Sequence, residues 1–146
     1  MRRPTVEGMA HPVMFEDSDP YLIRLREICL ALPEAQEKVS HGRPNFFTKK
    51  VFAGYGATLR GDHDPEPSAH SVVFLPDAAD RPALLDDDRV FEPAYLGPYG
   101  WLGFDFGRAG SVNRVAWDEV AELVDASYRL TAPARLVREL LGRSDS

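Results

Sequence analysis

The segments with strand-like patterns are clustered in the middle of this sequence, and helical patterns lie on both sides of them. In residues 38–61, apolar residues alternate or cluster between glycines, which predicts an early pair of strands. Residues 71–75 and 101–106 are short apolar runs that predict two further strands. Because few helices separate these strands, we expect an α+β fold in which helices cover an antiparallel sheet.

The first helix has clear boundary signals. Asp19 is a suitable N-cap and Pro20 a suitable first helical residue, and the apolar residues that follow recur at helical spacing. Pro33 is expected to end this helix, because proline cannot continue it. A second, short helix is predicted at 80–85.

Two more helices are predicted near the C-terminus. Residues 117–130 place apolar side chains on one face, and Arg129 suits the negative end of the helix dipole. A last helix is predicted over 133–141, with Thr131 as its cap and Gly142 as the residue that terminates it.

The chain of 146 residues has the size of one domain. We interpret residues 1–18 as an N-terminal tail that is at most loosely ordered, 19–142 as the domain and 143–146 as a C-terminal tail. No apolar run approaches the roughly 20 residues that span a bilayer, so no membrane span is expected. The single cysteine, Cys29, cannot form an internal disulfide, and we expect a cytoplasmic protein.

Charge is distributed unevenly along the chain. The net charge of −6 argues against nucleic-acid binding by the protein as a whole, because phosphate neutralisation supplies most of that affinity. Residues 62–92 hold nine acids against two arginines, whereas residues 38–61 hold no acid at all. This second stretch, the basic segment, has five cations: Lys38, Arg43, Lys49, Lys50 and Arg60.

Aromatic residues are interleaved with the cations of the basic segment. Phe46 lies between Arg43 and the pair formed by Lys49 and Lys50. Cations beside aromatic rings can hold a phosphate backbone while a base stacks, or can bind a small anion. Alternatively, a half-buried strand with solvated lysines produces the same alternation without any ligand.

The turn at residues 41–45 carries three polar side chains around a glycine. His41 is a candidate acid, base or anion contact near neutral pH. The guanidinium of Arg43 suits bidentate anions, and we favour a functional role for it. For Asn45 we favour hydrogen bonds to the backbone of the turn itself.

A second aromatic group lies further along the chain. Its side chains can line a pocket with Lys50 or Arg43 if the loop at 91–100 folds over the sheet. Burial at the edge of the core is the interpretation we favour, because large aromatic side chains are usually buried. The group consists of Tyr95, Tyr99, Trp101 and Tyr128.

No motif in the sequence indicates catalysis. The nucleotide-binding loops, the Gly-x-Ser-x-Gly motif and the Cys-x-x-Cys motif are missing. Residues 62–70 crowd acids and histidines together, but their spacing matches no zinc pattern, and a solvated acidic loop is the favoured interpretation. We therefore expect no catalytic residue, no cofactor and no metal.

Several short motifs occur in a characteristic order along the chain: LREICLALPEA (25–35), HGRPNF (41–46), KVFA (50–53), YLG (95–97), GWLG (100–103), WDEV (117–120) and SYRLTAP (127–133). These motifs and their order resemble the MmcQ/YjbR-like family over about residues 21–141. The chain departs from the family pattern in its N-terminal tail and in the acidity of the loop at 61–70.

The resemblance implies a small single-domain α+β fold of the YjbR-like, secretion-chaperone-like (double-wing) type. Members of this family are often labelled DNA-binding because of that fold. The implied function is a non-enzymatic module whose basic segment contacts nucleic acid. Two alternatives remain open: a protein-interaction or chaperone-like module, and a binder of a small phosphorylated ligand or unrecognised enzyme that uses His41, Arg43, Lys50 and a tyrosine.

Overall fold

The computed structural model describes residues 15–57 and 69–144. The order of helices and strands in this part of the chain largely follows the order that the periodicities predict. In chain order they are α1 (Pro20–Leu30), β1 (Gln36–Ser40), β2 (Arg43–Phe47), β3 (Val51–Tyr55), β4 (Ser71–Phe74), α2 (Arg81–Leu85), β5 (Val90–Phe91), β6 (Leu102–Asp105), α3 (Trp117–Thr131) and α4 (Ala134–Ser144).

The strands form one sheet in the order β1-β2-β3-β4-β6-β5. Every neighbouring pair is antiparallel. The chain is therefore an α+β protein with a single antiparallel sheet and helices packed on it, which confirms the predicted fold class. Within the described residues, no helix is long and apolar enough to cross a membrane.

The core lies between α1, α3 and one face of the sheet, here called the helix face. Side chains alternate between the two faces along each strand, so every second residue of β2, β4 and β6 points into this core. The buried residues of the sheet include Phe46, Ala53, Tyr55, Val72, Phe74, Leu102 and Phe104, and those of the helices include Leu22, Leu25, Val120, Val124 and Tyr128. The opposite side of the sheet is called the open face.

A β-bulge interrupts the pairing of β2 with β3. Phe46 pairs with Ala53 and Phe47 pairs with Val51, so Phe52 is an extra residue. Adjacent residues of a bulge can direct their side chains to the same side of the sheet. The ring of Phe52 accordingly reaches the helix face, where its centroid lies 5.2 Å from that of Tyr128 in an edge-to-face contact.

The predicted start of α1 is confirmed in detail. Asp19 Oδ1 accepts a hydrogen bond from the Tyr21 backbone N–H at 3.0 Å, and Pro20 occupies the first turn. This arrangement satisfies one of the N–H groups that have no partner inside the helix. The predicted helices at 80–85 and 117–130 agree with α2 and α3 to within one residue at each end.

Two predictions about strands are wrong. The segment before β4 forms three strands rather than two, because Gln36–Ser40 pairs with β2 at the edge of the sheet. This strand is mostly polar because an edge strand buries little surface, so it lacks the apolar pattern of an inner strand. The sequence patterns also did not predict the two-residue strand β5. Lys49 and Lys50 lie in the turn between β2 and β3.

The predicted boundary between the last two helices is also wrong. Thr131 belongs to α3 and donates its hydroxyl hydrogen to the carbonyl of Ser127 at 2.9 Å, so it is not a cap of α4. Helix α4 continues through Gly142 to Ser144, two residues into the expected C-terminal tail. Residues 1–14 and 58–68 lie outside the described residues, so most of the expected N-terminal tail, most of the acidic loop at 62–70 and Arg60 of the basic segment are not described.

Candidate functional site

Three partly exposed apolar residues mark one end of the open face. Phe47, Leu75 and Trp101 each stand next to a buried residue of the helix face, so alternation directs them to the opposite side. Strand pairing places Phe47 beside Val51, and the register of β4 with β6 brings Leu75 beside Trp101. Together with Val51 of β3, the three residues extend along the open face from β2 to the ends of β4 and β6.

Lysines border the same apolar group. The Nζ atom of Lys38 lies 4.7 Å above the centroid of the Phe47 ring, within the range of a cation–π interaction. Lys49 and Lys50 are exposed in the turn that joins β2 to β3. Within residues 15–57 and 69–144, no carboxylate forms an ion pair with any of these three lysines.

The loop before β6 presents two tyrosines to solvent. Tyr95 is 76% exposed and Tyr99 is 78% exposed, so the expected burial in the core is wrong for both. The loop is nevertheless held in place by backbone hydrogen bonds, from the N–H of Tyr99 to the carbonyl of Leu96 at 2.9 Å and from Gly97 to Pro93 at 2.9 Å. We call the surface formed by Lys38, Phe47, Lys49, Lys50, Tyr95, Tyr99 and Trp101 the aromatic–lysine face.

Two of the candidate residues belong to the core instead. Phe46 and Tyr128 are fully buried, so neither ring offers a surface to a ligand outside the core. The hydroxyl of Tyr128 donates a hydrogen bond to the carbonyl of Pro33 at 2.7 Å, which ties α3 to the segment after α1. The interpretation of Tyr128 as a core residue is therefore confirmed.

His41 and Arg43 lie at the other end of β2. A strand of five residues spans about 13 Å between its first and last Cα atoms, which separates Arg43 from Phe47 and from the lysine turn. The basic segment therefore does not form one surface. His41 is exposed in the turn between β1 and β2, with a positive φ of 55°.

Asn45 stabilises this turn, as expected from its position. Its Nδ2 group donates hydrogen bonds to the carbonyl of Arg43 at 3.1 Å and to that of Ser40 at 3.4 Å. Arg43 itself is partly buried, and burial lowers the pKa of its guanidinium below the ordinary value.

A polar cluster that the sequence did not indicate joins α1 to the sheet. The hydroxyl of Tyr55 donates to Asp19 Oδ2 at 2.5 Å and lies 2.8 Å from His70 Nδ1, which is 3.1 Å from the same carboxylate oxygen. Burial, and then the hydrogen bond to Asp19, raise the pKa of the Tyr55 hydroxyl far above its ordinary value. The three residues are 15 to 51 positions apart, so only the N-cap role of Asp19 was visible in the sequence.

The chemistry of this cluster favours a structural role. It contains no serine, cysteine or lysine that its histidine can activate as a nucleophile. Cys29 is fully buried, and burial raises the pKa of its thiol, so it does not act as a thiolate. Across the described part of the chain, histidines, cysteines and acids form no group of three that can hold a metal ion.

Comparison with known proteins identifies the family. The model of the YjbR family matches residues 30–130, a range that contains all six strands and most of α3. No curated protein and no solved structure matches the chain. Since the matched range covers more than half of the sequence, this chain belongs to the YjbR family.

Proposed function

We propose that this YjbR-family domain is a non-enzymatic binding module that holds single-stranded nucleic acid on its aromatic–lysine face. The observation that carries the proposal is the position of Lys38 Nζ 4.7 Å above the centroid of the Phe47 ring, at the end of β2 that leads into the turn with Lys49 and Lys50. Cations bind the phosphate backbone of a single strand, and aromatic rings stack on its bases. Both kinds of group lie on one face of the sheet.

The exposed loop favours a single strand over a duplex. Tyr95 and Tyr99 expose two further rings in the loop that precedes Trp101 along the chain. Unpaired bases can be splayed out and stacked on such rings, whereas the bases of a duplex already stack on one another. The rigid backbone of the loop lowers the conformational entropy that stacking costs.

Two acids that are close in sequence to the aromatic–lysine face pair with arginines instead of with its lysines. Glu37 accepts hydrogen bonds from Arg26 on the side of α1 rather than facing the lysines. Glu92 pairs with Arg81 at 3.0 Å. Because such acids have cationic partners, the three lysines keep a local positive charge, which supports modest and salt-sensitive affinity.

Fluorescence anisotropy of a labelled oligothymidylate tests this function. We expect binding at about 50 mM salt that weakens steeply towards about 200 mM, with a slope of log K against log salt near −2 for three phosphate contacts. Lys50→Glu should weaken binding strongly. Arg138→Glu is the matched control, because it makes the same charge change at an exposed position of α4.

Intrinsic fluorescence provides a second readout. The chain has two tryptophans, of which Trp117 is buried and Trp101 is partly exposed. Stacking of a base on Trp101 should quench the emission, and Trp101→Phe should remove this response. An absence of binding to any single strand at low salt would refute the proposed function.

The outer strand supports a second candidate, a protein-interaction module. Strand β1 lies at the edge of the sheet, and its Val39 side chain is 55% exposed. An edge strand can pair with an extended segment of another protein. Light scattering tests this alternative: a strict monomer, together with no partner in a pull-down, would contradict it.

A further inference from the structure

The side chain of Arg43 lies against the backbone of Gly56, just after β3, on the open face. Its Nη1 atom is 2.5 Å, and its Cζ atom 3.6 Å, from the position that a Cβ would occupy at Gly56. The carbonyl oxygen of Ala69 is 3.0 Å from the same position. A glycine at residue 56 is therefore necessary for the guanidinium to occupy this place.

Arg43 differs from the other partly buried arginines of the described residues. These number four, and three of them bind a carboxylate: Arg26 binds Glu37 at 2.9 Å, Arg81 binds Glu92 at 3.0 Å and Arg89 binds Asp87 at 2.6 Å. Within residues 15–57 and 69–144, no carboxylate forms an ion pair with Arg43. A charge that is removed from water without a partner is destabilising, so a bound anion would stabilise this partly buried guanidinium.

We propose that Arg43 is the centre of a binding site for a small oxyanion, a phosphate or a carboxylate, at the end of β2 opposite the lysine turn. The planar guanidinium offers two parallel N–H groups that match two oxygens of such an anion. Asn45 holds the backbone of Arg43 in place through its hydrogen bond to the carbonyl of that residue. Because Gly56 has no side chain, it leaves the space that the Arg43 guanidinium occupies.

This site does not depend on the proposed binding of nucleic acid. It lies about 13 Å along β2 from Phe47, at the far end of the strand. Its oxyanion can be a free small molecule or the terminal phosphate of a nucleotide. A protein that binds inorganic phosphate through Arg43 but binds no oligonucleotide would support this site and refute the nucleic-acid function.

Thermal unfolding in sodium phosphate, sodium acetate and sodium chloride at matched ionic strength tests the site. We expect phosphate or acetate to raise the midpoint by about 3 to 6 °C when its concentration is tenfold above the dissociation constant. A saturable shift of the Arg43 side-chain Nε–H resonance should accompany it. Dithymidine with and without a 5′-phosphate, at equal concentration, distinguishes a terminal phosphate from a free anion.

Arg43→Met separates a binding role from a structural one. In chloride, its midpoint should equal or exceed that of the wild type, because the substitution removes a partly buried charge that pairs with no carboxylate among the described residues. The oxyanion-dependent rise should be lost, and Arg43→Lys should restore only part of it. Lys50→Met, in the turn at the far end of β2, is the control and should keep the full response.

Two results would overturn the site. One is a wild-type midpoint that changes equally in phosphate, acetate and chloride, because this reports only ionic strength. The other is a lower midpoint of Arg43→Met in chloride, because this shows that the guanidinium already has a stabilising partner within the protein.

Discussion

The hydroxyl of Tyr55 donates a hydrogen bond of 2.5 Å to Oδ2 of Asp19, the carboxylate whose Oδ1 caps α1. One side chain therefore both begins the first helix and ties it to the end of β3. The Asp19 carboxylate is largely shielded from water, with 10% of its surface exposed, so its hydrogen bonds are not readily replaced by solvent.

Tyr55→Phe should destabilise the protein by about 1 to 3 kcal/mol, because Oδ2 of the shielded Asp19 carboxylate loses its hydrogen bond from the tyrosine hydroxyl. Urea unfolding near neutral pH measures this difference. Tyr99→Phe is the matched control, since that ring is exposed, and its effect should be within about 0.5 kcal/mol. Equal stabilities of the two variants would show that the bond to Asp19 contributes nothing.

Ser127 provides hydrogen bonds to the backbone where the bulge interrupts the strand pairing. Its hydroxyl donates to the carbonyl of Phe52 at 2.6 Å and accepts from the N–H of Leu75 at 2.9 Å, so it bridges β3 and β4. Ser127→Ala leaves both backbone groups without a partner and should cost about 2 to 4 kcal/mol. Urea unfolding compares it with Ser111→Ala, an exposed serine for which little change is expected. A cost no larger than that of the control would contradict this role.

The ion pair of Asp87 with Arg89 predicts a loss of stability in acid. Hydrogen bonds from the Arg89 side chain lower the pKa of Asp87 to about 2. Because the folded pKa lies below the unfolded value near 3.9, the pair stabilises the fold fully above about pH 4, and this stabilisation disappears as the pH falls to about 2. The side chains are 30% and 34% exposed, so screening limits the contribution to about 1 kcal/mol.

Asp87→Asn checks this pH dependence. Its stability should fall below that of the wild type near neutral pH, and the difference should vanish near pH 2. Asp88→Asn is the control, because this neighbouring acid is exposed and should give no such convergence. Denaturant unfolding across this pH range provides the measurement, and a constant difference between Asp87→Asn and wild type would contradict the assignment.

Gly103 makes room for an aromatic ring on the open face. A Cβ at this position would lie 2.2 Å from Cζ of Phe91. Gly103→Ala should therefore destabilise the protein by at least about 2 kcal/mol, and Phe91→Ala should reduce that cost in a double-mutant cycle. Additive effects of the Gly103 and Phe91 substitutions would argue against the contact.

Gly142→Ala should instead be neutral or stabilising. The substitution adds a better helix former in α4, and the added Cβ has no heavy atom of another part of the protein within 4 Å.

Local signals account for the helices that were predicted correctly. Asp19 and Pro20 define the start of α1 because capping depends only on neighbouring residues. The edge strand β1 was not predictable in the same way, since its polar residues become a strand only by pairing with β2. Tyr95 and Tyr99 were assigned wrongly because an aromatic residue is usually buried, and composition does not reveal a loop that faces solvent.

The sequence by itself determined the fold class, the order of most elements and the resemblance to the family, because caps, periodicity and motif order are local properties. Only the tertiary structure decided which functional candidates meet. An extended strand separates residues that are neighbours in sequence, so Arg43 and the lysine turn lie at opposite ends of β2. The same folding joins Asp19, Tyr55 and His70 in one cluster, because chain reversals bring distant segments together. The basic segment of the sequence thus becomes two separate surfaces.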